Sequence, residues 1–174
     1  MHRGHAAVLE ALCAASREVV VVVGSANRYD WRNPFTLRET RMMIEMVITH
    51  PCRVQILGLD DVGDGPRWRQ LLLEAVGPVE AVFTANPYVW HLLVEHVPVR
   101  HPVSLLPLEE RLRVEGAMVR RLMAEGRDWQ DLVPPPVARL VEERGLAERF
   151  RREFGLETLA RTLMDVGRKD VLVE

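Results

Sequence analysis

Five consecutive valines, Val19 to Val23, set the tightest limit on what this chain can fold into. β-Branched side chains are stiff at χ1 and favour extended backbone, and a run without polar alternation suits a strand covered on both faces, as in a parallel sheet flanked by helices. Just upstream, Ala7, Val8, Ala11, Leu12 and Ala15 recur at the spacing of an amphipathic helix over about residues 6–16. Gly24-Ser25-Ala26-Asn27 then ends the strand as a loop.

The same alternation continues downstream. Thr36, with Glu39 completing a capping box, starts a helix after Asn33-Pro34-Phe35 that is expected to run to about Thr49. Arg53 to Leu59 reads as a second strand, Trp68 to Val76 as a helix, Ala81 to Thr84 as a third strand and Pro87 to His96 as a helix. Pro102 interrupts an extended piece from Val99 to Leu106. Gly116 to Glu125, Val137 to Arg144, Leu146 to Phe154 and Leu156 to Met164 are expected as helices before a polar tail. The class is therefore α/β, with a Rossmann-like doubly wound parallel sheet that binds ligands at the carboxyl ends of its strands.

Charge narrows the partners. The 23 basic and 25 acidic residues give a net charge of −2, which leaves no basic face for a nucleic acid. No apolar run reaches the roughly 18 residues of a membrane helix, and no leader pattern opens the chain, so a cytoplasmic protein without membrane partners is expected. Cys13 and Cys52 have neither metal spacing nor a disulfide-framework pattern and are expected as buried thiols.

The chemistry is concentrated at His2-Arg3-Gly4-His5. The two histidines, three apart at a helix start, can face one side of its first turn, where free amides and the helix dipole favour an anion. Gly4 removes a Cβ and lets a phosphate approach the backbone. Together these residues make a phosphate cradle.

Further segments follow in a fixed order. They are Gly24-Ser25-Ala26, then Asn33-Pro34-Phe35-Thr36 with Glu39 and Met43-Ile44, then Leu59-Asp60 with Trp68, then Val82-Phe83-Thr84-Ala85-Asn86. Val114-Glu115-Gly116-Ala117-Met118-Val119-Arg120 comes next, followed by Met123, Gly126, Trp129 and Leu132-Val133-Pro134. The series resembles the nicotinamide-nucleotide adenylyltransferases of the archaeal type, within the HxGH nucleotidyltransferase superfamily. It covers about residues 2–145, which sets a nucleotidyltransferase domain at 1–145 and a C-terminal helical extension at 146–174.

The resemblance implies a Mg²⁺-dependent transfer of AMP from ATP to the 5′-phosphate of nicotinamide or nicotinate mononucleotide, with Mg²⁺ carried by ATP and no covalent intermediate. It implies a closed homo-oligomer as well. Carried over, His2, His5 and Arg120 are catalytic, and Gly4, Gly116 and Arg120 bind ATP. Trp68, Asn86 and Asp60 bind the mononucleotide. Trp68 has an equal alternative as a core anchor of its helix, Asn86 as a turn-shaping residue before Pro87, and Asp60 and Asp61 as a solvated turn. Asn33 and Thr36 read first as helix-start residues.

The sequence departs from the family at three places. A strand of Gly-Arg-Phe-Gln-Pro-Phe type precedes the histidine motif in the family, and Met1 stands where its last residue would be, so an additional strand upstream is expected. Glu115 and Ala117 replace a Ser and a Thr hydroxyl, each loss costing about 1.5 to 3 kcal/mol for a bond to a charged group. Thr40 replaces an arginine that Arg38 or Arg41 could offset. Two other readings follow: a nucleotidyltransferase for another phosphate acceptor, and a non-catalytic nucleotide-binding regulatory protein on the same fold.

Overall fold

The helix α1 (Arg3–Ala15) leads into the strand β1 (Glu18–Gly24), as the apolar pattern requires. The computed structural model describes residues 1–170, with side chains to residue 164. Then come α2 (Leu37–Glu45), β2 (Arg53–Leu59), α3 (Gly65–Val76), β3 (Val82–Phe83), α4 (Pro87–Leu93), β4 (Val99–Arg100), α5 (Gly116–Glu125), α6 (Pro135–Glu143) and α7 (Leu146–Asp170). Short 3₁₀ turns at Pro102–Leu105, Leu108–Glu110 and Gln130–Leu132 join the later elements. No helix among the described residues is long and apolar enough to cross a membrane.

The chain divides into two units, which are described separately. One comprises Ala7–Arg28 and Ile48–Leu112 and carries the strands. β1 and β2 pair in parallel from Glu18 opposite Arg53 to Gly24 opposite Leu59, and β3 pairs in parallel with β4, Val82 opposite Val99. Leu59, Leu72 and Leu93 form the buried centre, against which Val22, Trp68, Val82 and Val99 pack, so all four strands contribute to one core. The class is α/β with parallel strands, compatible with a Rossmann-like fold.

Three expectations for this unit change. The strands form two parallel pairs where a single sheet was expected. Val19 is buried but Val20 to Val23 are only half-buried, and among the described residues β1 has one strand neighbour, β2, instead of two. Cys13 and Cys52 are not free thiols but a disulfide, their Cα atoms 5.2 Å apart. Sequence spacing could not reveal that pair, since its partners come from the last turns of α1 and the entry to β2. Glu10 fixes the same junction, accepting from the Thr49 amide at 2.9 Å and from its hydroxyl at 2.6 Å, and the Arg53 amide donates to the Arg17 carbonyl.

The other unit comprises Met1–Ala6, Tyr29–Val47 and the chain from Arg113 onward. Its core is helical, with Met43 and Ile44 of α2, Val119 and Met123 of α5, Val137 and Val141 of α6 and Phe150 of α7 all buried. Thr36 caps α2 in the expected capping box, its side chain accepting from the Glu39 amide while the Glu39 carboxylate accepts from the Thr36 amide at 2.9 Å. That helix stops at Glu45, short of Thr49, because the β-branched Val47-Ile48-Thr49 and Pro51 disfavour its continuation. α6 begins at Pro135, before the expected Val137, since proline is well accommodated in a first helical turn.

The largest change is α7. Two helical pieces were expected on either side of Gly155, but one helix runs through it. A glycine in a helix costs only about 1 kcal/mol relative to alanine, and tertiary packing offsets that. Arg151 reaches from α7 to the end of α5, donating from Nε to the Met123 carbonyl at 3.1 Å, where a cation meets the negative end of the helix dipole. Gly126, at φ +69°, makes the left-handed turn that closes α5 there. The polar tail beyond Asp170, with Val171 to Val173, lies outside the described residues.

Phe150 is 1% exposed and is the largest fully buried side chain. Phe150→Ala should therefore lower the unfolding free energy by about 3 to 5 kcal/mol, read from urea denaturation of the full chain.

Candidate active site

Two helix starts adjoin in the helical unit. α1 begins at Arg3 and α5 at Gly116, and a Cβ on Gly4 would lie only 3.8 Å from the Val114 carbonyl oxygen. Each helix directs its positive end and first-turn amides at its own terminus, and α5 has no side-chain cap, since Glu115 makes no capping hydrogen bond. Arg3 fixes the start of α1 by donating to the Val133 carbonyl at 3.4 Å.

His2 and His5 stack at this point, with ring centroids 3.7 Å apart and planes inclined by 24°. The three-residue spacing brings them to one side of the first turn. A Cβ on Gly4 would meet the His2 ring at 3.1 Å, so the glycine leaves the imidazole its place. Buried His2 Nδ1 has no hydrogen-bond partner among the described residues. Burial, then neighbouring positive charge including that of Arg120, lowers the His2 pKa to about 4. The dense surround of His5, and then His2, lower its pKa to about 3, although more than a third of His5 is open to solvent. That exposure tempers the size of the shift and not its direction. Both rings are neutral at pH 7.

Arg120 lies one turn into α5, and its guanidinium folds back toward the helix start, where a Cβ on Gly116 would sit 3.0 Å from Nη1. Its Nε is buried without a hydrogen-bond partner among the described residues. Burial, followed by the like charge of Arg32, lowers its pKa, and Asp30 acts in the opposite sense. A cation at the positive end of a helix is misplaced by the dipole unless an anion joins it. Among the described residues, Arg120 makes no ion pair.

Sequence reasoning missed Trp31, which stands against this group with the Arg120 Cζ 6.0 Å from its ring centroid. A Trp-Arg pair in the loop before a capped helix was the available signal. Missed too was the hold of α7 on α2: Arg149 donates from Nη1 and Nη2 to the two Glu39 carboxylate oxygens at 2.6 and 2.8 Å, and from Nη2 to the Pro34 carbonyl at 3.1 Å. That bidentate bond holds the Glu39 carboxyl below its usual range.

His2, Gly4, His5, Gly116 and Arg120 thus come together. Trp68, Asn86 and Asp60 belong to the strand-bearing unit. Half-buried Trp68 packs on the Leu59, Leu72 and Leu93 cluster, consistent with its alternative as a core anchor. Asn86 caps α4, its Oδ1 accepting from the Tyr88 amide at 2.9 Å and the Val89 amide at 3.4 Å, which leaves its NH₂ group as a donor. Asp60 is exposed at the end of β2, next to Asp61, whose amide donates to Asn27 Oδ1 at 2.8 Å and whose carboxylate takes Arg28 at 3.1 Å. No group of three or more His, Cys, Asp or Glu among the described residues is placed to hold a metal ion.

The two depressed histidines fix how stability depends on pH. The unfolded chain binds protons below about pH 6.5 that folded His2 and His5 refuse until about pH 4 and 3, so the stability these two residues contribute falls as pH drops through that window and is constant above it. The double variant His2→Asn, His5→Asn should flatten this limb of the urea midpoint against pH.

No family model matches the chain. Curated archaeal proteins bearing the name nicotinamide-nucleotide adenylyltransferase do, and three of them illustrate the likeness. The one from Methanoculleus marisnigri is 32% identical over 157 residues, covering 88% of this chain and 91% of that protein. The Halobacterium salinarum protein is 35% identical over 153 residues, covering 86% and 84%, and that of Aeropyrum pernix 34% over 158, covering 87% and 90%. A shared sequence over nearly the full length of each, with His2, His5 and Arg120 gathered at two helix starts, places this chain in the nicotinamide-nucleotide adenylyltransferase family of nucleotidyltransferase enzymes.

Proposed function

We propose that this protein transfers AMP from MgATP to nicotinamide or nicotinate mononucleotide, forming NAD or its deamido form and releasing pyrophosphate. The observation that carries the reading is the unpaired Arg120 guanidinium beside His2 and His5, where the starts of α1 and α5 adjoin. Such a site offers cationic and N–H donors, with Asp30 acting on Arg120 from a distance and no ion pair to Arg120 among the described residues, which suits a triphosphate. The names of the family relatives supply the acceptor.

The reaction makes one bond and breaks one. A 5′-phosphate oxygen of the mononucleotide attacks the α-phosphorus of ATP, and the bond from that phosphorus to the bridging oxygen of the β-phosphate breaks, the electron pair leaving with pyrophosphate. The protein's part is alignment and charge stabilisation. Arg120 grips the triphosphate with its planar fork, Gly4 and Gly116 let phosphate oxygens approach the backbone, and His2 and His5 donate N–H bonds where charge develops. Mg²⁺ enters with ATP as part of the substrate.

In this reading Trp68 stacks on the pyridine ring, a contact worth about 1 to 3 kcal/mol, while Asn86 donates from its free NH₂ group and Asp60 accepts from the mononucleotide. The fold is that of the HxGH nucleotidyltransferases, with a further strand seated between the β1–β2 and β3–β4 pairs. The half-buried Val20 to Val23 on an edge strand support it, since such an edge is a liability until paired. A cytoplasmic homo-oligomer completes the proposal.

Full-length protein mixed with ATP, Mg²⁺ and either mononucleotide should yield the matching dinucleotide by mass spectrometry, and ATP binding without product from either acceptor would refute the reading. His5→Ala should lower kcat/KM by roughly a hundredfold or more with the fold intact, as removal of a preorganised donor does. Trp68→Ala should raise KM for the mononucleotide far more than for ATP, whereas equal losses accompanied by a lower Tm would assign Trp68 to the core alone.

A further inference from the structure

The indole of Trp31 carries three guanidinium groups. Arg32 Cζ lies 4.9 Å, Arg161 Cζ 5.1 Å and Arg120 Cζ 6.0 Å from its centroid, all within the range of a cation over an aromatic face. The loop that presents this ring is built for the purpose. Asp30 Oδ1 accepts from the Arg32 amide at 2.8 Å, the Asn33 amide at 2.9 Å and the Asn33 side chain at 3.2 Å, so its carboxylate is spent on shaping the turn.

Three cations on one ring repel one another, and the like charge of Arg32 lowers the Arg120 pKa while Asp30 acts in the opposite sense. Only Arg161 has an ion-pair partner among the described residues, Glu157 at 2.9 Å on the exposed face of α7. The excess of positive charge lies beside the Arg120 guanidinium already assigned to the triphosphate. An arrangement that is repulsive by itself and stabilised by an added polyanion is the signature of a polyphosphate subsite.

Resting on the adenylyltransferase reading above, we propose that Trp31 is the positioning platform of the triphosphate clamp, and that Arg32 and Arg161, seated on the same ring as Arg120, bind the phosphates of the pyrophosphate leaving group. The ring holds the three planar groups at fixed stations, so less side-chain freedom is surrendered when phosphate binds. Arg161 brings α7 into the site and gives this C-terminal helix a part in substrate binding. When ATP is split, the same cations meet the charge that gathers on the leaving pyrophosphate.

The test is calorimetric titration of the full chain with magnesium pyrophosphate, ATP and AMP. Arg32→Ala and Arg161→Ala should each weaken pyrophosphate and ATP about three- to tenfold and leave AMP unchanged, because AMP has no β or γ phosphate to lose a contact. Trp31→Ala should weaken pyrophosphate by at least as much and raise KM for ATP, with Trp31→Phe restoring most of it, since a smaller aromatic face still seats the guanidiniums. A purely structural Trp31 would instead lower Tm and affect AMP and pyrophosphate alike, which would overturn the platform. Should Arg32→Ala and Arg161→Ala bind pyrophosphate as the parent does while Arg120→Ala loses it, the subsite fails and the adenylyltransferase reading stands. Should Arg120→Ala also bind ATP and pyrophosphate as the parent does, both fall.

Discussion

The helical unit depends on the bidentate bond between Arg149 and Glu39. Glu39 serves twice, closing the capping box with Thr36 and receiving both Nη groups of Arg149, so the start of α2 and the flank of α7 are fixed by one carboxylate. Arg149 also takes the Pro34 carbonyl and lies over the Tyr29 ring, whose hydroxyl donates to Glu153 on the next turn of α7. The segment from Tyr29 to Glu39 is thereby pinned along α7. Trp31 lies within that segment, and Arg161 reaches it from the far end of the same helix. Pairs of this kind contribute little when both partners are free in water, but removing one partner from a half-buried pair leaves a charge without its hydrogen bonds and is far more costly.

That rigidity holds together an arrangement that would otherwise relax. Neutral His2 and His5 are stacked, Arg120 is turned toward the start of its own helix and Arg32 stands beside it, each placed against its electrostatic preference. Part of the folding free energy is spent on holding these groups together, with Arg32 and Asp30 acting on Arg120 in opposite senses. The histidines express it as depressed pKa values and the arginine as an unpartnered Nε.

The strand-bearing unit follows a different logic. Its parallel strands pack on Leu59, Leu72 and Leu93, and Trp68 adds its half-buried ring to that core, so the same residue can anchor α3 and still present an open part of its face. The ends of the elements are fixed by short polar contacts: Asp64 caps α3, Asn86 caps α4, and Asn27 and Arg28 hold Asp61 at the exit of β2. Asn86 spends its carbonyl oxygen on the cap, accepting from the Tyr88 and Val89 amides.

Local pattern determined much of this protein by itself. The valine run, the capping box at Thr36 and Glu39, the glycine that opens α5 and the three-residue spacing of His2 and His5 each act within a few residues, so they were legible as β1, the start of α2, the start of α5 and two rings on one side of a turn. The ordered motif series likewise pointed to the family, because spacing and order survive in sequence. What the tertiary structure alone decided are the relations between distant segments. Cys13 meets Cys52, α7 runs unbroken through Gly155, Arg149 finds Glu39, and three arginines from three separate parts of the chain meet on Trp31. A residue's near neighbours fix its backbone preference, whereas the partner its side chain meets depends on how every intervening element packs, and no window of sequence holds that information.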